Sequence, residues 1–328
     1  METSRASHAN VILMRVNENR NPFIYLDNMG KVMTSGAAAA KRGAGWAAAL
    51  AGGIAIAAAF PVGSGARADT GAWAESAHAK ARLVSAVAAT AGAERLQLGL
   101  EIKLDPGWKT YWRTPGEGGM PPRFDWSGSA NVAGIAIAWP APKRFEIGGM
   151  ESVGYSDHVI LPLEVALAKP GEPLALRLAL HYAVCREICM LVEAKLALDL
   201  PATQSGARST NADAIAQFQA RVPRPGAEHG WRVANTNRRT LCPRPGNCMD
   251  LVVVDIAAER EFTTTPQLLI EGAGYRFGMT KLKTGLGTAQ LRFVAPMHAL
   301  GAATTSDDLV LTLIEGERAG VFTVPAPR

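Results

Sequence analysis

The sequence predicts an all-β protein: an antiparallel β-sandwich at about residues 75–202 and a second, smaller β domain at about 228–328, joined by a short helical linker at 203–227. Three observations carry this reading. Apolar and polar residues alternate over several separate runs, which is the period of a half-buried strand. Turns rich in Gly and Pro separate those runs, with no helical pattern between them before residue 203. One helical pattern, Ile215, Phe218 and Val222, lies between the two β sets.

The elements follow in order. Lys41-Arg42 precede an uncharged stretch rich in Ala, Gly, Ile and Leu from Gly43 to Gly65, which ends in Ala66-Arg67-Ala68. A basic segment, an apolar segment and a small-x-small site read as a signal peptide cleaved near Ala68, so residues 1–68 are expected to be removed. A transmembrane anchor is the competing reading, but the Ala/Gly content makes the stretch only weakly apolar. The first 32 residues lack apolar periodicity, and Met33 would give a more conventional leader. Export implies an oxidising compartment in which the four cysteines can pair.

Leu96, Leu98, Leu100, Ile102 and Leu104 alternate with polar residues or Gly until Asp105-Pro106-Gly107 stops the strand. Thr114–Pro122, dense in Gly and Pro, is expected to be loop. Val132–Trp139 is a short strand, and Val159, Leu161, Leu163, Val165 and Leu167 mark another. Asn211–Val222 is the linker helix, with Asn211 or Thr210 as its N-cap. The second β set is Trp231–Ala234, Leu251–Ala257, Gln267–Glu271, Ala289–Ala295, Leu309–Ile314 and Gly320–Val324.

Charge narrows the function. The whole chain has a net charge of +5, but residues 1–68 hold seven Lys+Arg against three Asp+Glu. The remainder carries about +1, so nucleic-acid binding has no electrostatic support. No G-x-S-x-G, H-E-x-x-H or phosphate-binding glycine loop is present.

Two cysteine pairs carry the chemistry. Leu174, Leu176, Leu178, Leu180, Tyr182 and Val184 hold one phase before the first pair, and Met190, Val192, Ala194, Leu196, Leu198 and Leu200 hold one phase after it. An uninterrupted strand would hold Cys185 and Cys189 roughly 13 Å apart, too far for a disulfide. A bonded pair therefore requires Arg186-Glu187-Ile188 to be a turn. Phase puts both cysteines on the face opposite the core stripe, at the mouth of a hairpin and open to a partner. Such a pair suits thiol–disulfide exchange, which needs one attacking and one resolving thiol. Arg186 would lower a thiol pKa and Glu187 would oppose it.

A structural staple is the competing reading, and residue chemistry alone leaves the two open. A three-residue loop closes little chain entropy, which weakens the staple. Cys242 and Cys248 flank Pro243-Arg244-Pro245-Gly246-Asn247, a stiff loop that favours a structural disulfide. A third reading is a copper(I) site or copper-stress module using Cys185, Cys189 and Met190, with His181 nearby, since thiolate and thioether select Cu(I). A non-catalytic binding sandwich with two structural disulfides is a fourth. Zinc lacks a second close ligand pair.

The segments Gly107-Trp-Lys-Thr-Tyr-Trp-Arg-Thr-Pro-Gly116, Trp139-Pro-Ala-Pro-Lys-Arg-Phe145, Gly154-Tyr155, Leu161-Pro162-Leu163 and Tyr182-Ala-Val-Cys-Arg-Glu-Ile-Cys189 resemble the N-terminal periplasmic domain of the DsbD family, in its ScsB-like branch. The resemblance covers about residues 75–202, and more loosely the second β domain. It implies an immunoglobulin-like sandwich in the periplasm, acting as a protein-disulfide reductase component with no cofactor beyond its own cysteines. It implies that Cys189 forms the mixed disulfide and Cys185 resolves it. Phe145, in Phe145–Gly149, is implied as a cap over the pair, with Tyr111, Trp112 and Glu146 around it. Thioredoxin-fold periplasmic proteins are the implied partners. Full-length relatives carry a polytopic membrane domain and a thioredoxin-like domain that the sequence to Arg328 does not contain. A membrane electron donor supplied by another chain is therefore expected. The cysteine spacing is shorter than in the best-known members of the family.

Overall fold

The computed structural model describes residues 13–15, 69–203, 205–244, 246–300 and 308–327. The signal-peptide stretch and its cleavage site lie outside the described residues. Strands dominate. The first set is β1 (Leu13–Arg15), β2 (Ala74–Ser76), β3 (Ala79–Ser85), β4 (Arg95–Leu104), β5 (Lys109–Gly116) and β6 (Arg123–Asp125). It continues with β7 (Val132–Ile137), β8 (Lys143–Ile147), β9 (Met150–Ser156), β10 (His158–Leu167), β11 (Leu174–Cys185) and β12 (Cys189–Leu200).

After helix α1 (Ala212–Gln219) come β13 (Arg224–Pro225), β14 (Trp231–Arg244), β15 (Asn247–Ala258), β16 (Gln267–Gly272) and β17 (Tyr275–Phe277). The last strands are β18 (Lys281–Leu282), β19 (Gln290–Ala299), β20 (Asp308–Glu315) and β21 (Arg318–Pro325).

The first set forms two sheets. One runs β1-β7-β10-β4-β3-β2, the other β12-β11-β5-β9-β8, with β6 added to β11. Their apolar faces meet around Trp112, Leu98, Leu100, Leu163, Leu176, Leu180 and Tyr182, which are all but inaccessible to solvent. The two Leu-rich stripes flanking the cysteines are the inner face of the second sheet, as alternation predicts. Leu13–Arg15, inside the segment expected to be removed, pairs with Gly134–Ala136.

The second set also forms two sheets, β13-β21-β20-β16 and β14-β15-β19-β17, with β18 added to β19. Their core includes Trp231, Phe262, Phe293, Leu268 and Leu311. The whole is an all-β, sandwich-like fold with one α-helix among the described residues. Leu269, Met279, Ile314 and Ala319 join the core of the first two sheets, so apolar packing is continuous across both sets.

Three local expectations are corrected. β5 runs on through Thr114-Pro115-Gly116, where composition predicts loop. Its ladder with β9 slips between Tyr111 and Gly116, and Pro115, which has no N–H to give, falls in that interruption. β14 extends to Arg244 rather than Ala234. Its distal half is solvent-exposed on both faces, so no alternation marks it. Asn211 precedes the helix, but its side chain does not cap it. Its Nδ2 instead donates to Asp69 O, Thr70 Oγ1 and Ser209 Oγ.

An ion cluster around the buried Glu101 ties the first sheet together and gives a pH-dependent prediction. Glu101 on β4 accepts from Arg82 Nε at 2.6 Å, faces His158 Nε2 at 3.0 Å and lies 3.4 Å from Lys103 Nζ. Burial by itself would raise its pKa. The hydrogen bonds from His158 and Arg82, with the charges of Arg82 and Lys103, outweigh that and lower it to about 2. A depressed carboxylate stabilises the fold fully above its unfolded pKa, near 4.5, and the contribution is lost as pH falls through about 2. The loss is on the order of 3 kcal/mol. Glu101→Gln is expected to flatten the fall of Tm between pH 4.5 and 2, read by thermal melts; an unchanged slope would contradict the assignment.

Candidate functional site

β11 and β12 are a hairpin whose register runs without a slip from Leu174↔Leu200 to Cys185↔Cys189. Arg186–Ile188 form the turn, with Arg186 N donating to Ile188 O at 3.1 Å. The two cysteines are disulfide-bonded, with Cα atoms 4.1 Å apart. This is the hairpin-mouth geometry that the spacing requires of a bonded pair.

Both cysteines do lie on the face opposite the main core, but that face is not open. Cys185 is 0% exposed. It sits in a separate small cluster with Tyr111, Ile147 and Ala183, over which Met120 and Phe145 pack. Only Cys189 is exposed. The expectation from strand phase that the pair is open to a partner holds for Cys189 and is corrected for Cys185: alternation reports which face a residue takes, not what else covers it.

The cover comes from two elements. β5 lies beside β11, with Thr110 opposite Val184 and Lys109 opposite Cys185. It brings the Tyr111 hydroxyl to 3.1 Å from Cys185 Sγ and 3.3 Å from Cys189 Sγ. In the disulfide only the hydroxyl carries a proton, so Tyr111 is the donor. Burial raises the Tyr111 pKa, with Ser152 opposing, which keeps the phenol protonated and able to donate. Lys109 Nζ lies 5.6 Å from the centre of the Phe145 ring and adds a positive charge beside the cluster.

The second element is the hairpin β8–β9. Gly148 and Gly149 form its two-residue turn, both with positive φ (58° and 80°), a conformation that glycine adopts without strain. Alternation sends Phe145 and Ile147 of β8 towards Cys185, and the Phe145 ring centre lies 6.2 Å from that of Tyr111. Phe145, implied by resemblance as a cap, is carried by a strand. The Gly-Gly dipeptide is a readable hairpin signal. Ile147 and Met120 complete the cluster, and nothing in their sequence surroundings singles them out.

The remaining candidates are dispersed. Trp112, next to Tyr111, points into the main core and is fully buried there. Glu146 is exposed. Met190 packs against the main core, opposite Val184 and on the other face from the cysteines. His181 faces solvent opposite Glu193. The soft-ligand set Cys185, Cys189 and Met190 is thus not gathered on one face. Among the described residues no group of three or more His, Cys, Asp or Glu is placed to hold a metal. Arg186 and Glu187 are exposed and lie 3.6 Å apart in an ion pair. Cys242 and Cys248 are bonded, with Cα atoms 4.0 Å apart, at the exposed end of β14–β15. No described helix is long and apolar enough to cross a membrane.

Exposed apolar side chains flank the reachable sulfur on the hairpin and lie at the turn of the cap. Ile188, in the turn, is 67% exposed; Leu191, on the Cys189 face of β12, is 75% exposed. Met150, at the cap-hairpin turn, is 45% exposed and packs beside Gly118, whose carbonyl lies 3.4 Å from the Tyr111 hydroxyl.

Comparison with known proteins bears on this site. The family model described as thiol:disulfide interchange protein DsbD, N-terminal, matches residues 80–201. The N-terminal periplasmic domain of ScsB from Proteus mirabilis shares the fold at 20% identity and a TM-score of 0.59, over 79% of this chain and 99% of that one. The BSP domain of a biofilm-associated protein aligns at 7% identity over 80% of this chain and 61% of that one, with a TM-score of 0.20, too low to carry any argument. No curated protein matches the sequence. Residues 80–201, with their bonded Cys185–Cys189, are a DsbD N-terminal-like domain, related to thiol–disulfide interchange.

Proposed function

We propose that this chain relays electrons in the periplasm by thiol–disulfide exchange at Cys185–Cys189. Residues 75–202 are the exchange domain, 203–227 a linker and 228–328 a second β domain, in a chain exported and cleaved near Ala68. The observation that carries the reading is the asymmetry of the pair: Cys189 is exposed while Cys185 is sealed beneath Tyr111 and Phe145. An exchange centre needs one sulfur that a partner reaches and a neighbour that resolves the mixed disulfide, and burying the neighbour directs partners to the first.

In the delivering direction, the Cys189 thiolate attacks one sulfur of a partner disulfide and expels the other as thiolate. The Cys185 thiolate then attacks Cys189 Sγ, releasing the partner as a dithiol and restoring Cys185–Cys189. Two electrons leave the pair and two protons are taken up by the partner. Reduction by a donor dithiol runs the same steps in reverse, starting with attack on Cys189 Sγ. The Tyr111 hydroxyl, within hydrogen-bond reach of both sulfurs, stabilises whichever thiolate forms. The apolar rim of Ile188, Leu191 and Met150 supports docking of thioredoxin-fold proteins, with the donor a membrane protein on another chain.

The test is the reduction potential of Cys185–Cys189, measured alongside its reaction with a reduced thioredoxin-fold protein. A potential above about −300 mV with measurable exchange is expected. A lower potential without exchange would mark a structural bridge.

A further inference from the structure

The two elements that cover the cysteines are both fastened to the second set of sheets. On β5, Tyr111 reaches the sulfurs, while Arg113 two residues on forms a forked pair with Glu271 of β16. Arg113 Nε lies 2.9 Å from Oε1 and 3.2 Å from Oε2, and Nη2 lies 2.6 Å from Oε2. Thr114 Oγ1 donates to Glu271 Oε1 at 2.5 Å. On β8, Phe145 turns to the cysteine cluster while its neighbour Arg144 turns the other way. Arg144 Nη1 donates to Thr280 O at 2.9 Å, and Nη2 donates to Leu268 O at 3.0 Å and to Thr280 Oγ1.

β8 is the outermost strand of its sheet, where β9 is its one ladder partner among the described residues. β9 in turn holds β5 through the interrupted ladder. An edge hairpin on an interrupted ladder is where a fold opens locally at least cost. The Arg144 guanidinium is largely buried and is met by two backbone carbonyls and a hydroxyl of the second set. Freeing it strips a charged donor of its acceptors and takes a donor from Thr280 O, while Leu268 O keeps only Thr280 Oγ1, so opening is opposed.

We propose that the second β set braces the cap, and that Arg144 and Glu271 are positioning residues that keep Phe145 and Tyr111 over the disulfide. This rests on the exchange reading above. Residues 228–328 thereby acquire a role in the exchange: without touching sulfur they keep Cys185 sealed, so that outside thiols attack the pair only at Cys189, and loosening the cap opens Cys185 as a second point of attack.

The experiment uses the full oxidised chain and dithiothreitol, a small dithiol that needs no docking surface. The rate of reduction of Cys185–Cys189 is measured by quenched alkylation and mass spectrometry, with a thermal melt and the reduction potential of each variant. Arg144→Gln and Glu271→Gln are each expected to speed reduction about tenfold. Phe145→Ala, which removes the cap ring, is expected to do so at least as strongly. The potential should stay at the wild-type value, because the brace governs access and not the bond; a general loss of structure would move the melt and the potential together. If Arg144→Gln does not fold, Glu271→Gln decides by the same reading. Wild-type rates in folded brace variants, with Phe145→Ala fast, overturn the brace and leave the cap standing. Fast brace variants in a protein that never exchanges with a thioredoxin-fold partner uphold the brace and overturn the exchange reading.

Discussion

Cys189→Ser is expected to abolish trapping of a mixed disulfide with a thioredoxin-fold protein, and Cys185→Ser to make that species accumulate. The reason is access. A partner thiol must approach the sulfur it attacks nearly in line with the bond it breaks. Cys185 lies wholly beneath Tyr111, Ile147 and Phe145, while Cys189 faces solvent among Ile188 and Leu191. With Cys189 gone, the remaining thiol has no path to a partner. With Cys185 gone, Cys189 still attacks, but nothing 4.1 Å away across the hairpin resolves the product. A neighbour fixed at that distance acts at an effective concentration far above that of free thiols. Its loss is expected to lengthen the life of the mixed disulfide at least about a hundredfold. Non-reducing electrophoresis after acid quenching reads both variants, and equal trapping by the two would refute the division of roles.

Trp112→Ala and Tyr111→Phe, one residue apart on β5, are expected to fail in opposite ways. Trp112 is fully buried between the two sheets of the first set, its ring stacked 4.2 Å from the Arg113 guanidinium carbon. Truncating it leaves a large cavity and is expected to cost about 3–5 kcal/mol, with the disulfide chemistry of any folded fraction unchanged. Tyr111→Phe keeps the ring over Cys185 and removes only the hydroxyl. Stability is expected to change by about 1 kcal/mol, while exchange slows and the thiol pKa of the reduced pair rises. Urea unfolding and thiolate absorbance against pH separate the two. A stable Trp112→Ala, or a Tyr111→Phe with unchanged thiol titration, would show that the wrong neighbour had been placed beside the sulfurs.

That pair of neighbours shows where sequence reasoning runs out. Both aromatics stand out in Gly107–Arg113, but β5 carries too little alternation to say which turns inward. The long Leu stripes of β11 and β12 set their own phase, and hence the face of each cysteine, because a strand has a period of two and one face must be buried. The cap is harder. Phe145 is legible by resemblance, but its placement over Cys185 depends on β8 reaching the cluster through β9 and β5, whose contacts join residues far apart in the chain. Met190 stands next to Cys189 in sequence, which suggests a shared ligand set; adjacent residues on a strand point to opposite faces, and Met190 packs into the core.

The sequence by itself determined the all-β class, the positions of most strands, the hairpin that must fold for Cys185 to bond Cys189, and the face on which both lie. Those properties are set by local period and chain geometry. Only the tertiary structure decided that one sulfur is sealed and the other reachable, that Tyr111 and not Trp112 lies within 3.3 Å of both, and that Arg144 and Glu271 fasten the cover to a second set of sheets. Burial of a residue on an outer face depends on what is laid over it, and here the cover is drawn from segments scattered along the chain.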